Sequence, residues 1–120
     1  MRILIPAYYF PGFTVTHVVR ALKENGHMAL VFGPKGEGEN FLKCYSQVDI
    51  EEITEAFGDK IDLLLSIEAH FEGHPFSPQG YEMLKIPKIW WAIDTHLNFR
   101  WHKEYAYLFD FIFVAQKSMI

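Results

Sequence analysis

The chain has 120 residues and a single cysteine, Cys44. A lone thiol cannot close an internal disulfide, which excludes the small, disulfide-stapled secreted domain. Neither a neighbouring histidine nor a helix start stands beside Cys44, so it reads as an ordinary packed or loop thiol. Dense clusters of positive charge are missing as well. The 11 basic residues are scattered and the formal net charge is −4. General attraction to nucleic acid or to an anionic membrane is therefore not expected. No apolar run approaches the roughly 18 residues that cross a bilayer. The opening MRILIPAYYF is too short for a signal peptide and reads as a first strand, so a cytoplasmic protein is the expectation. The chain has no G-x-G-x-x-G fingerprint and no G-x-x-x-x-G-K-[ST] order, which argues against a standard dinucleotide or P-loop site.

Apolar bulk is plentiful. Half of the residues are hydrophobic and 17% are aromatic, enough to build a core in one domain spanning 1–120. A β-type apolar run at 2–7 is followed by the Pro11-Gly12 turn and then by Val15, Val18, Val19 and Leu22. That spacing predicts a helix capped by Thr14 and closed by Gly26. Residues 27–32 form a second strand. The glycine-rich 33–38 (GPKGEG) is a turn leading into an irregular stretch to 48. Asp49 with Glu52 forms a capping box for a helix carrying Ile50, Ile53 and Phe57. Residues 61–67 (IDLLLSI) are apolar enough for a strand buried on both faces. A polar loop over 68–80, a helical turn at 81–84 and a strand at 89–93 come next. Asn98 caps a further helix, and a fifth strand spans 111–115. Strands alternating with helices give an α/β, Rossmann-like three-layer sandwich with a parallel sheet of about five strands. The assumed strand order is 3-2-1-4-5, with the ligand crevice where the order reverses, between the first and fourth strands.

The candidate chemistry follows from that assumption. Asp94 and His96 leave the fourth strand and are candidate general bases toward a bound hydroxyl. Tyr8, Phe10 and Gly12 leave the first strand and can shape the opposite wall, where Gly12 lets an anionic group approach a helix N-terminus. Glu68 and His70 leave the third strand. Together with Glu72 and His74 these groups resemble a metal cluster, but their spacing matches no defined zinc signature, and no metal is assigned. Asp94-x-His96 matches part of the D-x-H-x-x-G motif of cobalamin domains, yet Phe99 occupies the glycine position. A phospho-receiver would carry an aspartate where Ser66, Ile67 and Glu68 stand. Trp90, Trp91 and Trp101 read as core or interface residues, and His17 and His102 as surface or helix-packing residues on helices.

The run WWAIDTHLNFRWHKEYAYLFDFIFVAQK, residues 91–117 with Trp90, resembles a segment of the bacterial spore-maturation-protein-like glycosyltransferases, which are of the GT-B type. Trp91 to Leu97 and Trp101, His102, Glu104, Tyr105 and Ala106 carry the likeness. It continues through Phe109, Asp110 and Val114 to Lys117, and covers about a quarter of the chain. The resemblance implies the N-terminal, acceptor-side half of a two-domain enzyme that needs no metal or other cofactor. Asp94 or His96 would then be catalytic, with Tyr8, Phe10, Gly12, Glu68 and His70 binding substrate. A nucleotide-sugar donor would bind through a C-terminal half that this sequence does not contain, so the chain alone would be inactive. Gln116 to Ile120 reads as the start of another element, consistent with a piece of a longer protein. A surface meant for that missing half would favour self-association. The alternative is a non-catalytic, flavodoxin-like binding or regulatory module.

Overall fold

The computed structural model describes residues 1–38, 40–43, 49–58, 60–67, 70–71, 74–75, 80–92 and 106–114, with the backbone alone for 70–71, 74–75 and 114. In chain order the elements are β1 (Arg2–Pro6), α1 (Thr14–Glu24), β2 (Met28–Gly33), β3 (Phe41–Lys43), α2 (Ile50–Ala56) and β4 (Leu63–Ile67). A two-strand ladder, β5 (His70–Phe71) and β6 (His74–Pro75), follows, then β7 (Lys88–Ala92) and β8 (Phe111–Val114). Single 3-10 turns occupy Tyr81–Met83 and Ala106–Leu108. Six strands form one sheet in the order β3-β2-β1-β4-β7-β8, and each of its pairs is parallel. The fold is α/β and Rossmann-like. No helix among the described residues is long and apolar enough to cross a membrane.

Alternation along each strand builds two cores, one on each face of the sheet. Ile3, Ile5 and Ala7 point to the face where Val15 and Val19 of α1 pack with Ala29 and Val31. Leu4 points the other way, into a cluster with Leu30, Phe32, Leu64, Trp90 and the Ile50 and Ile53 of α2. Each fully buried aliphatic side chain of this kind contributes roughly 1.5–3 kcal/mol of transfer free energy. Phe109 stacks on Trp90 (5.7 Å) and meets Tyr81 edge-on (5.8 Å), so both 3-10 turns are tied to β7.

The helix ends obey local rules, with one correction. Phe13, not Thr14, is the N-cap of α1; Thr14 is already helical. At the other end, the Gly26 amide donates to the Lys23 carbonyl and the His27 amide to that of Leu22. This pair of bonds requires the left-handed backbone that Gly26 adopts at φ 83°. Asp49 caps α2 as expected, accepting from the Glu51 amide at 2.8 Å.

At the start of β4, Asp62 accepts from the Arg2 amide (2.8 Å) and lies 3.8 Å from the Lys60 ammonium. The Arg2 hydrogen bond, aided by Lys60, holds this carboxyl below the usual aspartate range, against partial desolvation. The contact pins β4 to β1 at the N-terminal end of the sheet.

The strand order corrects two expectations. The region read as irregular contains β3, whose three residues pair with Val31, Phe32 and Gly33. It is β3, not the 61–67 strand, that occupies the edge beyond β2. The latter, β4, lies directly beside β1, with Ile3 opposite Leu63 and Leu4 opposite Leu64. The polar 68–80 segment, read as loop, also holds the short antiparallel ladder, with His70 opposite Pro75 and Phe71 opposite His74.

Candidate functional site

From β1 through α1 to β2 and on to β3, the chain moves toward one edge of the sheet. From β4 through β7 to β8 it moves toward the other. Crossovers of constant hand place helices on opposite faces when the direction of travel reverses. This is why α1 and α2 cover different sides. The reversal lies between β1 and β4, so the crevice expected of such sheets opens at the C-terminal ends of these two strands. The sequence reading set it between β1 and the strand now numbered β7. That strand is in fact one position further out, beyond β4.

One wall of the crevice is the segment after β1. The Phe13 amide donates to the Phe10 carbonyl at 3.2 Å, closing a turn with Pro11 and Gly12 at its centre. Proline sets the first central residue, and Gly12 at φ 87° supplies the positive φ that a type II turn needs at the second. The Thr16 hydroxyl also donates to the Phe10 carbonyl (2.6 Å), and the Phe10 and Phe13 rings meet edge-on at 5.6 Å. The turn is thereby fastened to the first turn of α1.

Strand alternation continues beyond β1. Tyr8 is half-buried against the cluster on the α2 side, whereas Tyr9 packs on the α1 side. Tyr9 also joins the segments that follow β1 and β2. Its amide donates to the Lys35 carbonyl (3.1 Å), and its carbonyl accepts from the Glu37 amide (3.1 Å). The three glycines of GPKGEG make room for this clasp. A Cβ on Gly33 would lie 1.8 Å from the Ala7 carbonyl oxygen. On Gly36 it would lie 2.8 Å from the Tyr9 Cβ, and on Gly38 3.1 Å from the Tyr9 ring. These glycines read as a turn in the sequence, and the structure supplies the reason: close approach of Gly33 to the Ala7 backbone and of Gly36 and Gly38 to Tyr9. Sequence reasoning passed over Tyr9 as an organiser of the wall. The Gly36-x-Gly38 spacing was the available signal, but it names no partner.

Of the residues proposed from sequence, Tyr8, Phe10 and Gly12 come together in this wall, with Phe10 half-buried and Gly12 exposed. His70 is placed by its backbone in β5. Glu68, Asp94 and His96 lie outside the described residues, as do Cys44, Trp101 and His102. Trp90 is buried, as a core residue should be, but Trp91 is 38% exposed. On the other side of the crevice β4 ends in Ser66 and Ile67, both buried. Among the described residues no three histidine, cysteine or acidic side chains gather as metal ligands.

Two concavities among the described residues lie elsewhere. One of about 550 Å³ is lined by Leu84, Lys85, Ile86, Lys88, Asp110 and Phe111, at the N-terminal ends of β7 and β8. Another of about 360 Å³ lies around His27, Met28 and Asn40, at the start of β2. Both are at the end of the sheet opposite the crevice. In the larger one, the Lys88 ammonium donates to the Leu84 and Ile86 carbonyls (2.9 and 3.3 Å) and sits 3.9 Å from Asp110. The donors of Lys88 are thus engaged in joining chain segments. The topological crevice differs from both hollows in lying where the strand order reverses, beside the exposed Pro11-Gly12 turn.

No protein-family model matches the chain, no curated protein matches it, and no solved structure matches it.

Proposed function

We propose that this chain is the acceptor-side, N-terminal domain of a glycosyltransferase, which moves a sugar from a nucleotide-sugar donor to an acceptor hydroxyl. The observation that carries the reading is the reversal of strand order between β1 and β4, flanked by the turn over Tyr8, Phe10 and Gly12. The resemblance of residues 91–117 to spore-maturation-protein-like glycosyltransferases adds support. In this reading the acceptor lies over the aromatic wall, and a base removes the proton from its attacking hydroxyl. The donor enters on a second, C-terminal half, without which the chain does not turn over.

In this reading Asp94 and His96 are the candidates for the base, and Glu68 and His70 would contact substrate. The strand order promotes Glu68. It is next in sequence after Ile67, the last residue of β4, which is the strand beside β1. A general base contributes about 10²–10⁴-fold to rate. The test is a nucleotide-sugar screen on the full-length enzyme, followed by Asp94→Ala, His96→Ala and Glu68→Gln. A loss of that size in kcat for one variant, with the fold retained, identifies the base. Unchanged transfer in all three removes the assignment. Failure of every donor to be consumed removes the enzyme reading itself and leaves a ligand-binding module.

A further inference from the structure

The two edges of the sheet differ. At one edge β3 has only three residues and ends in the exposed Lys43. A short strand with a lysine is how proteins blunt an edge against further pairing. At the other edge, β8 (FIFV) carries no charge along its length. Phe111 and Phe113 are each 60% exposed and Ile112 is 39% exposed. In the parallel register Phe111 pairs with Ile89, Ile112 with Trp90 and Phe113 with Trp91. Paired residues share a face. Trp90 lies on the α2 face, so Trp91, Phe111 and Phe113 form one apolar stripe on the α1 face, while Ile112 is exposed on the other. Among the described residues no helix covers that stripe.

We propose that β8 is a homodimerisation edge, which pairs antiparallel with β8 of a second copy about a two-fold axis normal to the sheet. Three arguments select a second copy. First, such an axis keeps the α1 faces on the same side, so with the axis at Ile112 the Phe111 of each copy faces Phe113 of the other and the sheet continues across the interface. Second, the pairing is isologous and closes at two, so that each β8 covers the other. Pairing of β8 with β3 of the next copy would make an open array, and Lys43 and the shortness of β3 oppose it. Third, the area fits a reversible dimer. At about 150–250 Å² for a fully exposed aromatic side chain, the exposed fractions of Trp91, Phe111 and Phe113 amount to about 240–400 Å² per copy. That is at most about half of the roughly 800 Å² per partner of a standard interface, and it fits the weak, transient class. This inference stands apart from the glycosyltransferase reading and survives its failure.

Sedimentation velocity over a wide concentration series of the 120-residue chain tests it. The expected result is a monomer–dimer equilibrium about a 14.0 kDa protomer. Phe113→Lys should weaken association by about tenfold or more, because the ammonium would be buried against an apolar counterpart. Met83→Lys, at a residue 63% exposed in the Tyr81–Met83 turn, should not change it. Phe113 is exposed, so the fold should persist, and an unchanged circular-dichroism melt of the Phe113→Lys monomer verifies this. A wild-type chain that stays monomeric at the highest concentration overturns the proposal. So does association that Phe113→Lys leaves intact, or growth beyond the dimer.

Discussion

Gly33→Ala should be among the most damaging single-methyl substitutions in this chain, and the reason is specific to the crevice. Gly33 ends β2, and its missing Cβ would sit 1.8 Å from the Ala7 carbonyl oxygen and 2.8 Å from the Ala7 carbonyl carbon. Both are backbone atoms, so no rotamer change relieves the clash. β1 and β2 would have to separate where the Ala7 amide donates to the Phe32 carbonyl at 2.8 Å. Overpacking of a well-filled interior costs about 1–3 kcal/mol. A displaced backbone hydrogen bond adds about 1 kcal/mol. We expect a loss of about 3 kcal/mol, a substantial part of the roughly 6–18 kcal/mol that a domain of this size has in total. Gly58→Ala is the internal control. Gly58 has φ 71° and open space around it, so only backbone strain applies. That cost is about 1–2 kcal/mol. Urea titration followed by tryptophan fluorescence, to which buried Trp90 contributes, and by far-ultraviolet circular dichroism measures both. A Gly33→Ala loss no larger than that of Gly58→Ala would refute the argument that close approach of backbone, and not local conformation, demands glycine there.

Two further outcomes are expected. The Asp62 carboxyl is held low in the folded state, chiefly by the Arg2 amide. Its contribution to stability is therefore complete above the ordinary aspartate pKa of about 3.9 and lost as pH falls through the lower, folded value. Asp62→Asn should be less stable than wild type at pH 7, and the gap should narrow below about pH 4. Denaturation midpoints at several pH values check this, and a gap that widens on acidification contradicts it. Asp49→Ala removes the side chain that accepts from the Glu51 amide. The expected cost is about 1 kcal/mol, by the same urea titration. Asp49→Ser should recover most of it; no recovery would mean that the hydrogen bond is not what Asp49 contributes.

The elements were legible where one local signal sufficed. The Val15, Val18, Val19 and Leu22 spacing matched α1, of which Val15 and Val19 are buried. The apolar runs located β1, β2, β4, β7 and β8 to within two residues at either end. β3 was not legible, because three residues such as Phe41–Lys43 are too few to show a period and its pairing with Val31–Gly33 is a tertiary fact. The order of strands was legible only in form. An order of 3-2-1-4 was assumed, but nothing in IDLLLSI states whether it lies beside β1 or beyond β2. The choice depends on which sheet face α2 covers, and Ile50 and Ile53 would serve either. The same limit applies to the crevice wall. Pro11-Gly12 announced a turn, whereas the clasp of Tyr9 by Gly36 and Gly38 joins two loops, and the spacing of the glycines does not name its partner.

In the glycosyltransferase proposed above, the position of β4 bears most on the choice of catalytic base. Neighbouring strands lie about 4.8 Å apart, so β7 starts roughly 10 Å from β1, with β4 between them. A base must come within about 3 Å of the proton that it removes. An acceptor held on the wall formed by Tyr8, Phe10 and Gly12 is therefore nearer to a chain leaving β4 than to one leaving β7. In sequence, Asp94 and His96 follow Ala92 of β7, whereas Glu68 follows Ile67 of β4 directly. If Glu68→Gln lowers kcat while Asp94→Ala and His96→Ala raise KM alone, the acceptor sits at the reversal and the Asp94 segment holds a distal part of the substrate. The opposite pattern would mean that the acceptor lies over β4 and β7, away from the aromatic wall, and that Tyr8 and Phe10 are packing residues.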